Sequence, residues 1–282
     1  MGINIIDSFL EKLQEILNKK DVESLFRKLP LLRGLYKFIF QAIFFFLPWN
    51  KGIKVMEEDW DYLIVLDGCR YDYFKILNNI IPGKLEKKFS VGPATGTWIL
   101  RNFSDRYYDI VYVSGNALVS PSALKRRPSK KLLERMLSVG FNPFFHIDNV
   151  WRYSWDDIIG TVLPKEITNA ALRNVQKYPS KRMIIHYIQP HDPLIHGPRG
   201  WVEKVCKGEL SIDEVKVGYA KNLKTVIYEV ERLRKRLKGK IVITADHGQG
   251  LGDYWIYKHP YFLISPLMEI PWLITLGGKY KK

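Results

Sequence analysis

Short runs of hydrophobic residues alternate with longer segments of helical periodicity from about residue 58 towards the C-terminus. The short runs are rich in β-branched side chains, which predicts strands at 62–66, 109–113, 182–188, 240–245 and 271–275. Apolar positions at helical spacing predict helices at 71–80, 97–104, 129–138, 165–177 and 213–238. Because strands and helices alternate, we expect an α/β fold, a three-layer αβα sandwich with a mainly parallel central sheet and additional N-terminal helices.

The first 57 residues follow a different pattern, so we divide the chain into an N-terminal helical segment (1–57) and a catalytic domain (58–282). Apolar residues at helical spacing predict an amphipathic helix at 3–19. The aromatic-rich segment 31–49 contains an uninterrupted apolar run, 42–47, that is too short to span a bilayer. This segment either packs onto the domain or lies in a membrane interface, and its many phenylalanines slightly favour the interface.

The overall charge narrows the classes of partner. A formal net charge of +15 favours anionic partners, namely a phosphate-ester substrate, anionic lipid headgroups or nucleic acid. Nucleic acid is the less favoured of these, because helix packing also explains the mixture of basic and aromatic residues. Two distant cysteines cannot form a disulfide framework, and no secretory signal is recognisable, so we expect a cytoplasmic protein, peripheral at the inner face of the membrane if 31–49 binds lipid. The sequence does not indicate an oligomeric state.

Carboxylates and imidazoles follow several of the predicted strands. Ligands of parallel sheets bind at the carboxyl ends of strands, so we expect these side chains to meet at one edge. A mixture of carboxylate and imidazole suits Zn²⁺ or Mn²⁺ better than Ca²⁺, and we predict one or two divalent ions per chain. Two such ions could hold the attacking and leaving oxygens of a displacement at phosphorus. The candidate residues are Asp67, His191, Asp192, His196, Asp246, His247 and His259.

Two threonines supply candidate nucleophiles. Thr95 and Thr97 lie at the start of the predicted helix 97–104, where backbone N–H groups favour phosphate oxygens. A hydroxyl at this position could form a covalent phospho-intermediate, although either threonine could instead simply cap the helix. Arg70 and Lys258 are close in sequence to candidate ligands, and they either neutralise phosphate oxygens or are ordinary surface cations.

Five motifs together resemble those of the alkaline phosphatase/sulfatase superfamily, and most closely its archaeal sulfatase-like hydrolases and transferases. The motifs are Leu63–Asp72, Thr95–Trp98, Pro190–Pro193, Ala245–Gly252 and His259–Pro260, and the resemblance covers roughly residues 58–276. It implies that Asp67, Asp246 and His247 hold one metal, and that Asp192, His196 and His259 hold a second. It also implies a substrate-contacting role for His191, which is not fully compatible with the second metal set. Thr95 matches the position of the family's nucleophile, with Thr97 two residues further on.

The sequence departs from the sulfatase motif in ways that narrow the expected reaction. No cysteine lies near position 95, and Thr97 and Ile99 stand where the family's sulfatases have proline and arginine. Threonine cannot yield the aldehyde of sulfatases, so we expect a metal-dependent hydrolase or transferase of phosphate esters (EC 3.1 type) acting through phospho-Thr95. Two alternatives stay open: a single-metal sulfatase-like hydrolase, and a catalytically silent binding protein of the same fold that uses its basic surface.

Overall fold

The computed structural model describes residues 52–119 and 143–278, together with isolated positions between residues 7 and 35. The strands of these residues are β1 (Tyr62–Leu66), β2 (Lys84–Phe89), β3 (Tyr107–Ser114), β4 (Phe144–Asn149), β5 (Trp155–Asp156), β6 (Thr161–Val162), β7 (Arg182–Tyr187), β8 (Lys240–Thr244), β9 (Gly250–Leu251), β10 (Tyr257–Lys258) and β11 (Glu269–Leu276). The α-helices of the ranges 52–119 and 143–278 are α1 (Tyr71–Ile76), α2 (Thr95–Asn102), α3 (Pro164–Lys177), α4 (Trp201–Lys207), α5 (Ile212–Arg234) and α6 (Ser265–Met268).

Within the described part of the chain, seven strands form the central sheet in the order β2-β11-β8-β1-β7-β3-β4. Strand β1 pairs in parallel with both β7 and β8, whereas β11 runs antiparallel to its two neighbours. All five residues of β1 are buried, as expected for the central strand of a parallel sheet that is covered on both faces. The mainly parallel sheet predicted from the sequence is therefore confirmed.

Two hydrophobic clusters cover opposite faces of this sheet. Successive side chains of a strand point to opposite faces. Accordingly, Ile64 of β1 belongs to a cluster with residues of α3 and α5, whereas Leu63 belongs to a second cluster with Trp98 and Ile99 of α2. Burying an aliphatic side chain of this kind contributes about 1.5–3 kcal/mol, so the two clusters fix the three layers around the sheet.

The predicted elements of the catalytic core agree with the structure, with some omissions. All five predicted strands are present as β1, β3, β7, β8 and β11, and α1, α2, α3 and α5 begin within two residues of their predictions. Strands β2 and β4, at the two ends of this strand order, were not predicted. Their sequences are more polar than the β-branched runs typical of buried strands. The predicted helix at 129–138 lies outside the described residues.

Two of the described N-terminal residues contact the segment that precedes β11. Residues 7, 8, 10–12, 14 and 15 are helical, in line with the predicted helix at 3–19. Leu10 is fully buried against a cluster that includes Phe262 and Ile264, and the carboxylate of Asp7 accepts a hydrogen bond from the hydroxyl of Ser265. Apart from residues 31 and 35, the segment 31–49 lies outside the described residues, so its proposed membrane contact stays a prediction. No helix among the described residues is long and apolar enough to cross a membrane.

Candidate active site

Two buried aspartates follow neighbouring parallel strands. Asp67 comes directly after β1 and Asp246 two residues after β8, so the pairing of these strands brings both carboxylates to the same sheet edge. The backbone N–H groups of Gly68 and His247 donate hydrogen bonds of 3.1 and 2.9 Å to Oδ1 of Asp246. Gly68 has a φ of +66°, which favours glycine and lets its N–H point at this oxygen. On the other carboxylate, Nδ2 of Asn116 donates to Oδ2 of Asp67 at 2.6 Å.

A histidine inside β7 completes the group. His186 is fully buried, and its Nε2 lies 3.9 Å from Oδ2 of Asp67 and 3.9 Å from Oδ2 of Asp246. Its Nδ1 lies 2.9 Å from the hydroxyl of Tyr112 on the adjacent strand β3. If Nδ1–H donates to that hydroxyl, Nε2 keeps a lone pair that faces the two carboxylates.

His247 faces the same carboxylates from the loop after β8. Its Nδ1–H donates to the carbonyl of Gly248 at 2.7 Å, which assigns the free lone pair to Nε2. That Nε2 lies 3.5 Å from Oδ1 of Asp67 and 3.5 Å from Oδ2 of Asp246. Two carboxylates and two imidazoles therefore face one another in a buried cluster, which we call the carboxylate–imidazole cluster (Asp67, His186, Asp246 and His247).

The donor atoms of this cluster fit a divalent cation. Asp67, His186 and Asp246 each offer one donor atom, and these three atoms lie within 4.8 Å of one another. Oδ1 of Asp67 and Nε2 of His186 are buried, and neither has a hydrogen-bond partner among the described residues. Burying two carboxylates together is unfavourable without a compensating positive charge, and an ion with oxygen and nitrogen ligands provides one.

The pKa values of the two carboxylates reflect the unfavourable burial of two neighbouring negative charges. Burial, together with the negative charge of Asp246, raises the pKa of Asp67. Burial also acts to raise the pKa of Asp246, but His247, His186 and the hydrogen bond from Thr95 outweigh it and lower that pKa below its ordinary value. The protein therefore holds Asp246 as the more readily ionised member of the pair.

Thr95 and Thr97 have different partners. Thr95 is the first residue of α2, and its Oγ1 donates a 2.7 Å hydrogen bond to Oδ2 of Asp246 and lies 3.3 Å from Nε2 of His247. The hydroxyl of Thr97 instead donates to the carbonyl of Ala94 at 2.7 Å. The N-cap residue is Ala94, which has no capping side chain, so Thr95 directs its hydroxyl to the cluster rather than to the helix backbone.

Two further imidazoles extend from the cluster. The ring of His259 lies 4.5 Å from that of His247 between centroids, and its Nε2 lies 2.8 Å from Nε2 of His191. Nδ1–H of His191 donates to the carbonyl of Asp192 at 2.9 Å, and one proton is shared between the Nε2 atoms of His191 and His259. Burial, with the nearby imidazoles of His247 and His191, lowers the pKa of His259 to about 2, so this ring is neutral.

The structure does not bring Asp192, His196 and His259 together as one set. Asp192 accepts a 2.7 Å hydrogen bond from Nε1 of Trp201. His196 is exposed, and its Nε2 lies 3.0 Å from the hydroxyl of Thr225 on α5. The loop after β7 is anchored on α5, where Asn222 accepts from the backbone N–H of Ile195, and this holds His196 at the helix. Of the three residues expected to hold a second metal, only His259 contacts an imidazole of the cluster among the described residues.

The two candidate phosphate-binding cations also differ. Arg70 is buried and donates to both carboxylate oxygens of Asp72, to both of Asp253 and to the carbonyl of Gln249. These contacts join the β1–α1 turn to the loop after β8. Lys258 has a side chain that is 52% exposed, with its Nζ 3.4 Å from Oδ2 of Asp192. Lys258 is thus the more accessible of the two to a ligand.

Three residues of the site were not predicted from the sequence: Tyr112, Asn116 and His186. His186 lies within an apolar strand, where a lone histidine is more often a core residue than a ligand, and Tyr112 likewise lies inside β3. Asn116 follows β3 by two residues, so the strand-end rule that selected Asp67 also applies to it. Because its amide is uncharged, nothing else in the sequence indicated that Asn116 belongs to the site.

No protein-family model matches the chain, and no curated protein matches it either. Among solved structures, the chain is similar to the soluble domain of lipooligosaccharide phosphoethanolamine transferase A from Neisseria meningitidis, with 12% identity, a TM-score of 0.49 and coverage of 75% of each chain. A second similar structure is the C-terminal periplasmic domain of EptC from Escherichia coli in complex with Zn, at 10% identity and a TM-score of 0.47, covering 75% of this chain and 72% of that one.

A third similar structure is a protein in the alkaline phosphatase superfamily from Vibrio parahaemolyticus, at 11% identity and a TM-score of 0.41, covering 76% of this chain and 59% of that one. At these identities and scores the likeness concerns the overall fold and assigns no role to any residue. The expected likeness to archaeal proteins stays a prediction.

Proposed function

We propose that this protein transfers the phosphoryl group of phosphate esters through a covalent intermediate on Thr95. The observation that carries the proposal is the position of the Thr95 hydroxyl, hydrogen-bonded to Asp246 and 3.3 Å from Nε2 of His247 in a buried cluster. A threonine that only capped α2 would accept a hydrogen bond from a backbone N–H of the first turn, whereas the hydroxyl of Thr95 donates to Asp246.

The carboxylate–imidazole cluster would hold a divalent ion, and Zn²⁺ or Mn²⁺ suits its two carboxylates and two imidazoles. Such an ion, when bound, would supply Lewis-acid stabilisation to the negative charge of the phosphoryl oxygens. Asn116, Tyr112 and the carbonyl of Gly248 each hydrogen-bond one of the ligating side chains, Asp67, His186 and His247 respectively. These contacts fix the orientation of the donor atoms before an ion arrives.

The residues around Thr95 support its role as nucleophile. The hydroxyl of Thr95 loses its proton to the solvent as the attack begins, and Asp246, with which it already shares a hydrogen bond, holds the oxygen in place. The Oγ1–phosphorus bond forms as the bond from phosphorus to the ester oxygen breaks, and the departing alcoholate takes a proton from the solvent. The first N–H groups of α2 lie at the same place and favour the negatively charged phosphoryl oxygens.

The second half of the reaction regenerates Thr95. Water or a second alcohol attacks phosphorus and releases its proton to the solvent, the bond to Oγ1 breaks, and the hydroxyl of Thr95 regains a proton from the solvent. Water as acceptor makes the protein a hydrolase and an alcohol makes it a transferase. We assign His191 and Lys258 to contact with the substrate, because His191 adjoins the cluster through His259 and Lys258 is half exposed beside Asp192.

The test is turnover of a chromogenic phosphodiester and of the matching monoester, each with added Zn²⁺ or Mn²⁺. Thr95→Ala should lower kcat by roughly 10³-fold or more, because no nucleophile remains. Thr97→Ala is the matched control and should keep near-normal turnover, since its hydroxyl bonds only to Ala94. A single turnover quenched in acid should leave phosphate on the peptide that contains Thr95, detected by mass spectrometry.

Other results would support the alternatives. Equal turnover in the wild type and Thr95→Ala would exclude the covalent route through this residue. Turnover of a sulfate ester and of no phosphate ester would support a sulfatase-like hydrolase. No turnover of any ester, with salt-sensitive binding to a random DNA duplex, would support a silent binding protein with a basic surface.

A further inference from the structure

We infer that a side pocket next to His191 binds the organic group of the phosphate ester, and that this group is apolar and uncharged. The inference rests on the proposed function. The side pocket is a cavity of about 760 Å³ that lies between the β5–β6 loop, the turn after β7 and the first turn of α4. Its size falls in the range of small-molecule pockets, roughly 300–1,000 Å³.

The side pocket adjoins the carboxylate–imidazole cluster through a row of three imidazoles. His191 lines the pocket, and its Nε2 lies 2.8 Å from that of His259. The ring of His259 lies beside that of His247, whose Nε2 is 3.3 Å from the hydroxyl of Thr95. His191 therefore stands between the pocket and the cluster, and we place the organic group of an ester on the His191 side of Thr95.

The walls of the side pocket are suited to an apolar group. Leu194 and Trp201 are buried in the wall, and Ile159 and Val202 are half-buried at its sides. The carboxylate of Asp192 is already engaged by Nε1 of Trp201 and by Lys258, so it is not an open partner for a cationic group. Arg199 and Glu203 also line the pocket, and Glu203 is paired with Lys207 at 2.6 Å. Because both acidic groups are paired and Arg199 would repel a cation, the apolar wall favours burial of hydrocarbon rather than of an amine.

The loop that forms one side of the pocket continues the apolar surface outwards. Ile158, directly before Ile159, is 82% exposed, and Trp155 at the start of the same hairpin is 47% exposed. Hydrocarbon that extends beyond the pocket would meet these side chains. The pocket can thus receive either a short alkyl group or the first part of a lipid chain.

Binding of alkylphosphonates tests the inference without turnover, because a P–C bond replaces the ester bond. Butylphosphonate has three more methylene groups than methylphosphonate, and burying them should tighten binding roughly 50-fold, measured by isothermal titration calorimetry. Val202→Trp fills the pocket and should abolish this preference. Val217→Trp is the matched control, because Val217 is 54% exposed on α5 and does not line the pocket, so the preference should persist.

A second variant covers the case in which Val202→Trp fails to fold. Ile159→Asp places a charge in the pocket from a loop and should also reduce the preference for butylphosphonate. Equal binding of both phosphonates by the wild type, or a preference that survives both pocket variants, would overturn the inference. If the preference holds while no ester is turned over, the proposed function fails and the pocket assignment stands.

Chain length then separates a short alcohol from a lipid. Dodecylphosphonate, used below its micelle concentration, should bind more tightly than butylphosphonate if the substrate is a lipid, because the added chain would lie on Ile158 and Trp155. Binding that ceases to improve beyond a short chain would instead assign a small alkyl or aryl alcohol as the organic group. Either result is compatible with an apolar group.

Discussion

Tyr112 contributes to the site through a single hydroxyl. Its side chain is fully buried, and the hydroxyl lies 2.9 Å from Nδ1 of His186, the ring nitrogen opposite the one that faces the carboxylates. Partners of this kind fix the tautomer and orientation of a metal-ligating histidine, and their loss usually weakens metal affinity about 10- to 100-fold. We therefore expect Tyr112→Phe to weaken Zn²⁺ or Mn²⁺ binding by that factor, measured by competition with a chromophoric chelator.

Tyr107→Phe is the control for this prediction. Tyr107 lies on the same strand, and its hydroxyl bonds to the carbonyl of Asn102, remote from any ligating atom. Removing that hydroxyl should change stability slightly and leave metal affinity unaltered. If both variants bound the ion as tightly as the wild type, Tyr112 would have only a packing role.

Site residues that directly follow a strand recognisable from its own sequence were predictable. Asp67 and Asp246 were predictable because a charged residue that directly follows a buried strand lies at the sheet edge where the strand ends. His186 was not, because nothing in the strand itself shows that its neighbours in the sheet end in carboxylates. That information depends on the β1–β7 and β1–β8 pairings, which are long-range contacts.

At the level of elements, Arg70 joins two loops that carry site residues. It donates to Asp72 in α1 and to Asp253 in the loop between β9 and β10, and only 9% of its side chain is exposed. Removing one partner of a buried ion pair leaves an uncompensated charge. We expect Asp253→Ala to lower the free energy of unfolding by about 3 kcal/mol in urea titrations at pH 7.

The same pair makes a pH-dependent contribution. Burial acts to raise the pKa of Asp253, but the charge and hydrogen bonds of Arg70 outweigh it and hold the pKa below its ordinary value of 3.8. A lowered folded-state pKa contributes stability that is present above the unfolded pKa and is lost as the pH falls through the folded value. The difference in stability between the wild type and Asp253→Ala should therefore shrink below about pH 4.

Asp213→Ala is the control for both measurements. Asp213 also pairs with a cation, Lys216, but its side chain is 81% exposed, so its removal should change stability little at either pH. A loss in Asp253→Ala no larger than in Asp213→Ala would mean that the Arg70 link contributes nothing measurable. A difference that grew as the pH fell would contradict the assigned direction of the pKa.

In the loop after β7, the sequence did not reveal which side chain reaches the site. Its sequence offered Asp192 and His196 as ligands of a second metal and His191 as a substrate contact, and spacing alone could not decide between these assignments. In the structure Asn222 of α5 accepts from the N–H of Ile195 and donates to the carbonyl of Pro190, so a helix distant in sequence determines which side chain reaches the site. Irregular loops lack the periodicity that made β1 and β8 predictable.

At the scale of the whole molecule, folding and metal binding are coupled through the buried carboxylates. Asp67 and Asp246 are at most 3% exposed, and both lie in a cluster that offers them no permanent positive charge. An ion that binds only the folded state stabilises it by about 4 kcal/mol at a concentration of 1,000 times Kd. For a protein of this size we expect Zn²⁺ or Mn²⁺ to raise Tm on the order of 10 °C after chelator treatment.

Asp67→Asn should separate the repulsion between the two carboxylates from the stabilisation by a bound ion. It removes one negative charge and keeps the shape of the side chain. Without metal its Tm should equal or exceed that of the wild type, since the repulsion with Asp246 is gone. With metal its Tm should rise far less, since a carboxylate ligand has become a weaker amide one. Asp59→Asn, at a carboxylate that is 90% exposed and paired with Lys240, should keep the full metal-induced rise. An equal rise in Asp67→Asn and Asp59→Asn, measured by differential scanning calorimetry, would show that the ion binds elsewhere on the protein.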